Sequence, residues 1–399
     1  MYAKSRKEGN KSSMSINLMN TSKLLLGLAL LGISFSCHEQ QPEPAPAEPP
    51  YRWKLKTRMF TGMQPVYADE SYFIFPTDYQ SGEMFLLRVD EKTGDTIYNV
   101  QLLGLDDNLS SMNAKAYPEN GELHIIMDRN FYKVDMATGQ ILTRYDFPNF
   151  FWRSNIQDDY IYTCSFANSL DSFYYSYFHK DIGEQRHIYG AKISDGLNRI
   201  GGRAPVTSGN RFLLPFYEGN FPGTFDNSII AVSSDTIEKI KIDFNSNTIG
   251  GPVFDDESNM YLYMIDRMVA YRKSDLRVLW ENRSIKGGRY LQTGDKIYMV
   301  PTTNVNSGEG NLIYIIDKRT GVARTVESPA CLGHLERVGD YIYYVGWGRF
   351  MKFDMINEKF IPEREGESSQ PGGRYQPIYG ISPNSKILFN EYGWNCFPL

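Results

Sequence analysis

The chain has 399 residues, 14% of them aromatic, and a formal net charge of −5. An acidic balance argues against non-specific nucleic-acid binding, which depends on neutralising phosphates. Twenty-eight tyrosines, 23 phenylalanines and 34 glycines, with frequent Asp and Asn turns, favour β-structure, and no stretch sustains helical periodicity.

Residues 1–37 read as a lipoprotein signal peptide. Lys4, Arg6, Lys7, Lys11 and Lys23 form its basic start, which initiation at Met14 or Met19 would shorten. Leu24 to Phe35 is an apolar run too short to span a bilayer comfortably. Ser36 directly precedes Cys37 as in a lipobox, so Cys37 is the expected acylated residue anchoring the chain to the outer membrane. Plain secretion is the alternative, and the side of the membrane stays open. Residues 38–50 hold five prolines and three glutamates, a composition that cannot build a core and extends at about 3.1 Å per residue as a tether. The first 37 residues carry a net +4, so the remainder stands at −9.

Residues 51–399 contain an internal repeat. An acidic or Asn/Gly turn followed by an alternating aromatic and aliphatic strand occurs eight times, anchored on Glu70, Glu122, Asp159, Asn210, Asn259, Asp295, Asp340 and Ser385, with a mean interval of 45 residues. Between these anchors a second strand ends in a polar turn: Asp90 to Gly94, Asp135 to Gly139 and Asp317 to Gly321 are clear Asp-x-x-Thr-Gly copies. The segment from Phe353 is weaker, and degenerate copies surround Ser194, Ser233 and Lys273. Asp bonds the turn backbone and Gly supplies the positive φ that a tight strand-to-strand turn needs. Four antiparallel strands every 40 to 50 residues predict an all-β fold, an eight-bladed β-propeller. The last repeat lacks an outer strand, which Tyr51 to Lys56 would supply, so both chain ends share the final blade. A seven-bladed ring with one irregular insertion is the alternative.

The Asp-x-x-Thr-Gly turns with this period resemble the repeats of the pyrroloquinoline-quinone-like, or quinoprotein-type, propellers. That superfamily includes quinone-dependent dehydrogenases and a non-enzymatic outer-membrane-assembly lipoprotein. The motif specifies a turn and no chemistry. The vicinal cysteine pair of the dehydrogenases has no counterpart here, so the resemblance implies no cofactor and lies nearer the assembly lipoprotein.

Once Cys37 is acylated, Cys164, Cys331 and Cys396 remain, consistent with one disulfide and a free thiol or with three buried thiols. Cys164 falls in a predicted strand as a small core residue. His124, His179, His187 and His334 show no metal-ligand spacing, and His124 alternates with apolar neighbours as a packing residue.

Candidate ligand residues come from the handovers between blades, whose loops converge on one mouth of the central channel. Arg153, Arg203, Arg289 and His334 fall six or seven residues before their anchors, and Arg374 ends a third Gly-Gly-Arg triplet. Such a ring suits bidentate binding of carboxylate, sulfate or phosphate, although arginines near a propeller axis also bond strand-end carbonyls. On the same face, Cys164 to His187, Tyr217 to Asn227 and Thr302 to Asn311 read as long loops. The first of these carries Tyr174 and Tyr175 as a stacking platform for sugars or a protein patch, unless Ser172 to Phe178 extends a hairpin. Trp347 and Trp394 occupy short connections there.

Three functions fit the sequence. The favoured one is a non-catalytic, monomeric binding or scaffold module of the cell envelope for a protein or anionic glycan. The others are a polysaccharide lyase or hydrolase, for which Glu218, His334 or a tyrosine would supply acid and base, and an outer-membrane assembly factor, which rests on fold analogy.

Overall fold

The computed structural model describes residues 52–55, 63–76, 83–102, 115–127, 129–166, 172–192, 199–203, 205–219, 225–234, 236–242, 253–264, 267–285, 288–301, 312–328, 335–346, 349–361, 379–390 and 393–399. The expected signal peptide with Cys37, the tether, Cys331, the loop from Thr302 to Asn311 and the turn around Ser194 lie outside these residues.

Among the described residues every regular element is a β-strand, and the strands form seven four-stranded antiparallel sheets and one sheet of five. They are the blades of a propeller. Blade 1 runs from Val66 to Leu102, blade 2 from Lys115 to Asp146, blade 3 from Phe150 to Lys192 and blade 4 from Arg199 to Ile242. Blade 5 follows from Val253 to Asn282, blade 6 from Gly288 to Glu327 and blade 7 from Glu336 to Ile361. Blade 8 runs from Tyr379 to Pro398 and is completed by Trp53–Leu55. The first strand of blade 1 touches the first strands of blades 2 and 8, so the first strand of each blade is the inner one. Each anchored repeat forms the second strand of its blade.

Eight equal four-stranded sheets were expected, and blade 4 departs from that pattern. Its inner strand is split into Arg199–Gly202 and Val206–Ser208, both antiparallel to Arg211–Gly219. The first piece ends at Gly202 and the second begins at Val206, directly after Pro205. Proline has no N–H to give a ladder, so a strand is interrupted there.

Blade 3 departs in another way. Ser172–His179 is its third strand, paired residue for residue with Tyr160–Phe166, and its turn to the outer strand lies at Lys180 to Gly183. The long loop expected from Cys164 to His187 is therefore a hairpin that leaves only residues 167–171 between its strands. In blade 4 the expected insertion shortens likewise, because strands reach to Gly219 and resume at Phe225.

Ring closure follows the expected pairing, with Trp53 opposite Cys396, which in turn lies opposite Ile387. A buried polar cluster holds this seam to blade 1. The Trp53 indole N–H donates to the Glu91 carbonyl oxygen at 2.8 Å, the Ser385 hydroxyl to the Glu91 carboxylate at 2.7 Å and the Tyr67 hydroxyl to the same carboxylate at 2.9 Å. Tyr72 reaches the Ser385 carbonyl at 2.9 Å. Burial raises the Glu91 carboxyl, but bonds from Ser382, Ser385 and Tyr67 outweigh it and hold the group below its ordinary value.

The Asp-x-x-Thr-Gly turns do more than reverse the chain. Asp90, Asp135 and Asp317 each accept from the backbone N–H of the turn threonine, while Gly94, Gly139 and Gly321 take φ of 77°, 76° and 71°. An outer-strand aromatic of the preceding blade lies on each glycine: Trp53 on Gly94, Tyr98 on Gly139 and Trp280 on Gly321. Each of these aromatics donates to a turn carbonyl, Trp53 to Glu91, Tyr98 to Met136 and Trp280 to Lys318. Tyr145 repeats the clamp on Gly183 and the Asp181 carbonyl. The turn motif is thus a blade-to-blade clamp, with the glycine leaving room for a flat ring.

Candidate functional site

Inner strands begin at the face where one blade hands over to the next, and three of the five expected basic residues lie in the described part of that face. Arg153 belongs to the inner strand of blade 3, Arg203 follows the split strand of blade 4, and Arg289 is the second residue of the inner strand of blade 6. The charges of Arg203 and Arg289 both act on Arg153, whose pKa is lowered first by burial and then by Arg203. His334, Arg374 and Trp347 lie outside the described residues, as does the side chain of Trp394, although its backbone pairs in blade 8.

Local backbone irregularities lie at two of these residues. A bulge between Phe151 and Arg153 leaves Trp152 without a partner and sets Arg153 opposite Cys164. Bulges of this kind re-aim a side chain. In blade 4 the Arg203 N–H donates to the Pro215 carbonyl at 3.1 Å. Tyr175, expected on a ligand-facing loop, is fully buried and donates its hydroxyl to that same carbonyl. It shares that acceptor with the Arg203 N–H and is no surface platform. Tyr174 is half-buried on the third strand of blade 3, with its ring against His187 at 5.3 Å.

The arrangement holds groups that sequence reasoning missed. Lys115, the first residue of the inner strand of blade 2, donates to the Ser154 carbonyl of blade 3 at 2.8 Å. It is open to water yet surrounded by protein, and burial followed by the Arg153 charge pushes its pKa down to about 8. Two residues deeper lies Tyr117, and Tyr290 comes from the inner strand of blade 6 across the ring. Burial raises both phenols, Tyr290 to about 12, and Tyr290 also acts electrostatically on Tyr117. Tyr290 is stacked on Phe254 with ring centroids 3.9 Å apart. Lys115 sits seven residues before its anchor, as Arg203 does before Asn210, so the spacing rule that found the arginines would have found it had lysine been counted.

Glu336, in the inner strand of blade 7, is half-buried, and burial pushes its carboxyl up to about 8. Glu218, the expected acid, is ion-paired with Lys239. Cys164 is a buried free thiol pushed up to about 12 by burial, which suits the core role expected of it; Cys396 is also free and buried. His124 is buried between Glu119 and Glu122. Among the described residues no group of three or more His, Cys, Asp and Glu side chains is arranged to hold a metal ion.

No protein-family model matches the sequence, and no curated protein does. Solved structures with similar folds exist at low identity. Sqt1 of Saccharomyces cerevisiae is 8% identical with a TM-score of 0.57, over 87% of this chain and 97% of that one. The likeness is one of fold. The WD40 domain of SCAP from fission yeast is 7% identical over 86% of this chain and 96% of that one, with a TM-score of 0.46. BamB from Moraxella catarrhalis is 14% identical over 71% of this chain and 79% of that one, with a TM-score of 0.43.

Proposed function

We propose that this propeller is a non-catalytic binding module of the cell envelope that takes an anionic group of its ligand into one mouth of the channel. The observation carrying this reading is the placement of Lys115, Arg153, Arg203 and Arg289 at or beside the inner strands of four blades, with Lys115 of blade 2 bonded to the Ser154 carbonyl of blade 3, in an otherwise acidic domain. Guanidinium groups suit carboxylate, sulfate and phosphate through paired N–H donors.

The basic start and short apolar run before Ser36 and Cys37 support acylation at Cys37, which would hold the ring near a membrane on the proline-rich tether. Labelling with radioactive palmitate is expected to mark the wild-type chain and not Cys37→Ser.

The anion site is tested with sulfate, inorganic phosphate and citrate at constant ionic strength. Each should raise the melting temperature of the wild-type chain through linkage, and the combined Arg153→Gln, Arg203→Gln, Arg289→Gln variant should lose that response. An equal response in both proteins would refute the site.

A further inference from the structure

Resting on the acylation reading, we infer that the face of the ring opposite the cationic mouth is a membrane-contact surface suited to a zwitterionic lipid layer. Strands alternate in direction within each blade, so the turns joining first strand to second and third to fourth share one end of the blades. The inner strands that carry Lys115, Arg153 and Arg289 begin at the other end. All ten large apolar side chains that stand exposed among the described residues lie at the turn end, and they come from all eight blades. Ile182 and Ile356, 67% and 71% exposed, occupy third-to-fourth-strand turns, and Val322, also 67% exposed, directly follows another. Ile97, Leu142 and Ile237 are first or second residues of fourth strands. Exposed apolar residues scattered over a whole surface need no explanation, but their confinement to one end of every blade does.

The occupant follows from where the chain enters the ring. Trp53 pairs with Cys396, close to the end of the third strand of blade 8, and its indole bonds the Glu91 carbonyl in a turn of blade 1. The Arg52 N–H continues that ladder to the Cys396 carbonyl at 3.0 Å. The segment that carries Cys37 therefore joins the ring at the turn end. Residues 38–50, thirteen in number, span about 40 Å as a polyproline-type chain. An acyl chain on Cys37 thus brings the turn end nearest the bilayer, and the cationic mouth opens away from it. Single apolar side chains set round a ring match a flat, laterally extended surface, whereas the anchors of a protein interface cluster at the centre of one patch. The surrounding charge selects the lipid. Glu70, Asp159, Glu257, Asp295 and Asp340 are exposed in first-to-second-strand turns of five blades, so an anionic headgroup layer is repelled and a zwitterionic one accepted.

The experiment places a bimane probe on Val322→Cys or Glu327→Cys in the acylated full chain, with Cys331→Ser in both, reconstituted in phosphatidylcholine vesicles. Cys164 and Cys396 are buried, so the probe goes to the introduced thiol. Val322 and Glu327 are exposed near opposite ends of one fourth strand, about 17 Å apart. Flotation with the vesicles reports the anchor independently of the face. Interfacial side chains enter the acyl boundary by about 5–10 Å, so lipid spin-labelled high on its acyl chain should quench the Val322→Cys probe about threefold or more above the Glu327→Cys probe. Replacing part of the phosphatidylcholine by phosphatidylglycerol should reduce that quenching, and added salt should restore it. Ile182→Gln combined with Ile356→Gln, both at exposed positions that the fold tolerates, should lower it about twofold and leave flotation unchanged. If the chain floats but neither probe is quenched, or both equally, the face is wrong while the anchor stands. Stronger quenching with phosphatidylglycerol would overturn the choice of lipid. A chain that does not float removes the acylation reading and this inference together.

Discussion

Gly321→Ala tests whether the turn motif is a clamp between blades. Two costs are expected. The residue holds φ at 71°, where a side chain costs about 1–2 kcal/mol. A Cβ there would also stand 2.4 Å from Cδ2 of Trp280, so the indole must leave. Trp280 is 8% exposed and donates to the Lys318 carbonyl at 2.8 Å, so displacing it forfeits part of the roughly 3–5 kcal/mol of a buried tryptophan. The total expected is about 3–5 kcal/mol. Gly121 supplies the control: its φ is 81°, but an added Cβ meets nothing within 4 Å, so Gly121→Ala should cost only the backbone share, about 1–2 kcal/mol. Urea unfolding of the full chain, followed by circular dichroism, gives both values. Trp280→Ala closes the cycle. In that background Gly321→Ala should fall to the cost of Gly121→Ala, a coupling of about 2 kcal/mol, within the range for touching residues. Equal costs at the two glycines, or no coupling to Trp280, would refute the clamp.

Three further outcomes follow from the same geometry. Glu91 is held below its ordinary value, so the stability it lends the seam is full above about pH 4.5 and is lost as the pH falls through its folded value; acid titration of unfolding should flatten in Glu91→Gln. Glu336 behaves oppositely, because a carboxyl raised to about 8 withdraws stability as the pH climbs from about 4.5 to about 8. Glu336→Gln should raise the melting temperature at pH 8 relative to wild type and leave it nearly unchanged at pH 4, and an equal shift at both would rule out an ionised Glu336 as the cause. Lys115 should react with acetic anhydride with a midpoint near pH 8, read by peptide mass spectrometry, and Arg153→Gln should move that midpoint upward by removing one of the two influences that lower it.

Much of the fold was legible because strand repeats are local. All eight anchored segments, from Ser71–Ile74 to Ser385–Asn390, are second strands, since alternation and the preceding turn depend on neighbours in sequence. Pairing of Trp53 with Cys396 was legible too, because a ring with one strand missing and one left over has a single economical closure. For blade 3 the sequence left a loop and a hairpin at Ser172 to Phe178 both open, and the structure has the hairpin. Phe173, Tyr175 and Phe178 look alike on a loop or a strand, and only packing on blade 4 and on the Phe147 cluster buries them. The site was half legible: the spacing picked out Arg153, Arg203 and Arg289 but not Lys115, because only arginine and histidine were counted.

The amino-acid order alone determined the strand period, the turn chemistry at Asp90, Asp135 and Asp317, and how the ends meet, all set by interactions a few residues long or by counting. Which side chains neighbouring blades bring together was decided only in three dimensions. Tyr72 reaches the Ser385 carbonyl 313 residues on, Lys115 the Ser154 carbonyl 39 residues on, and Arg153 stands opposite Cys164 through a register shift in its strand. Such features belong to the packing of whole sheets about a common axis, where burial and neighbouring charge are set by blades that share no sequence window.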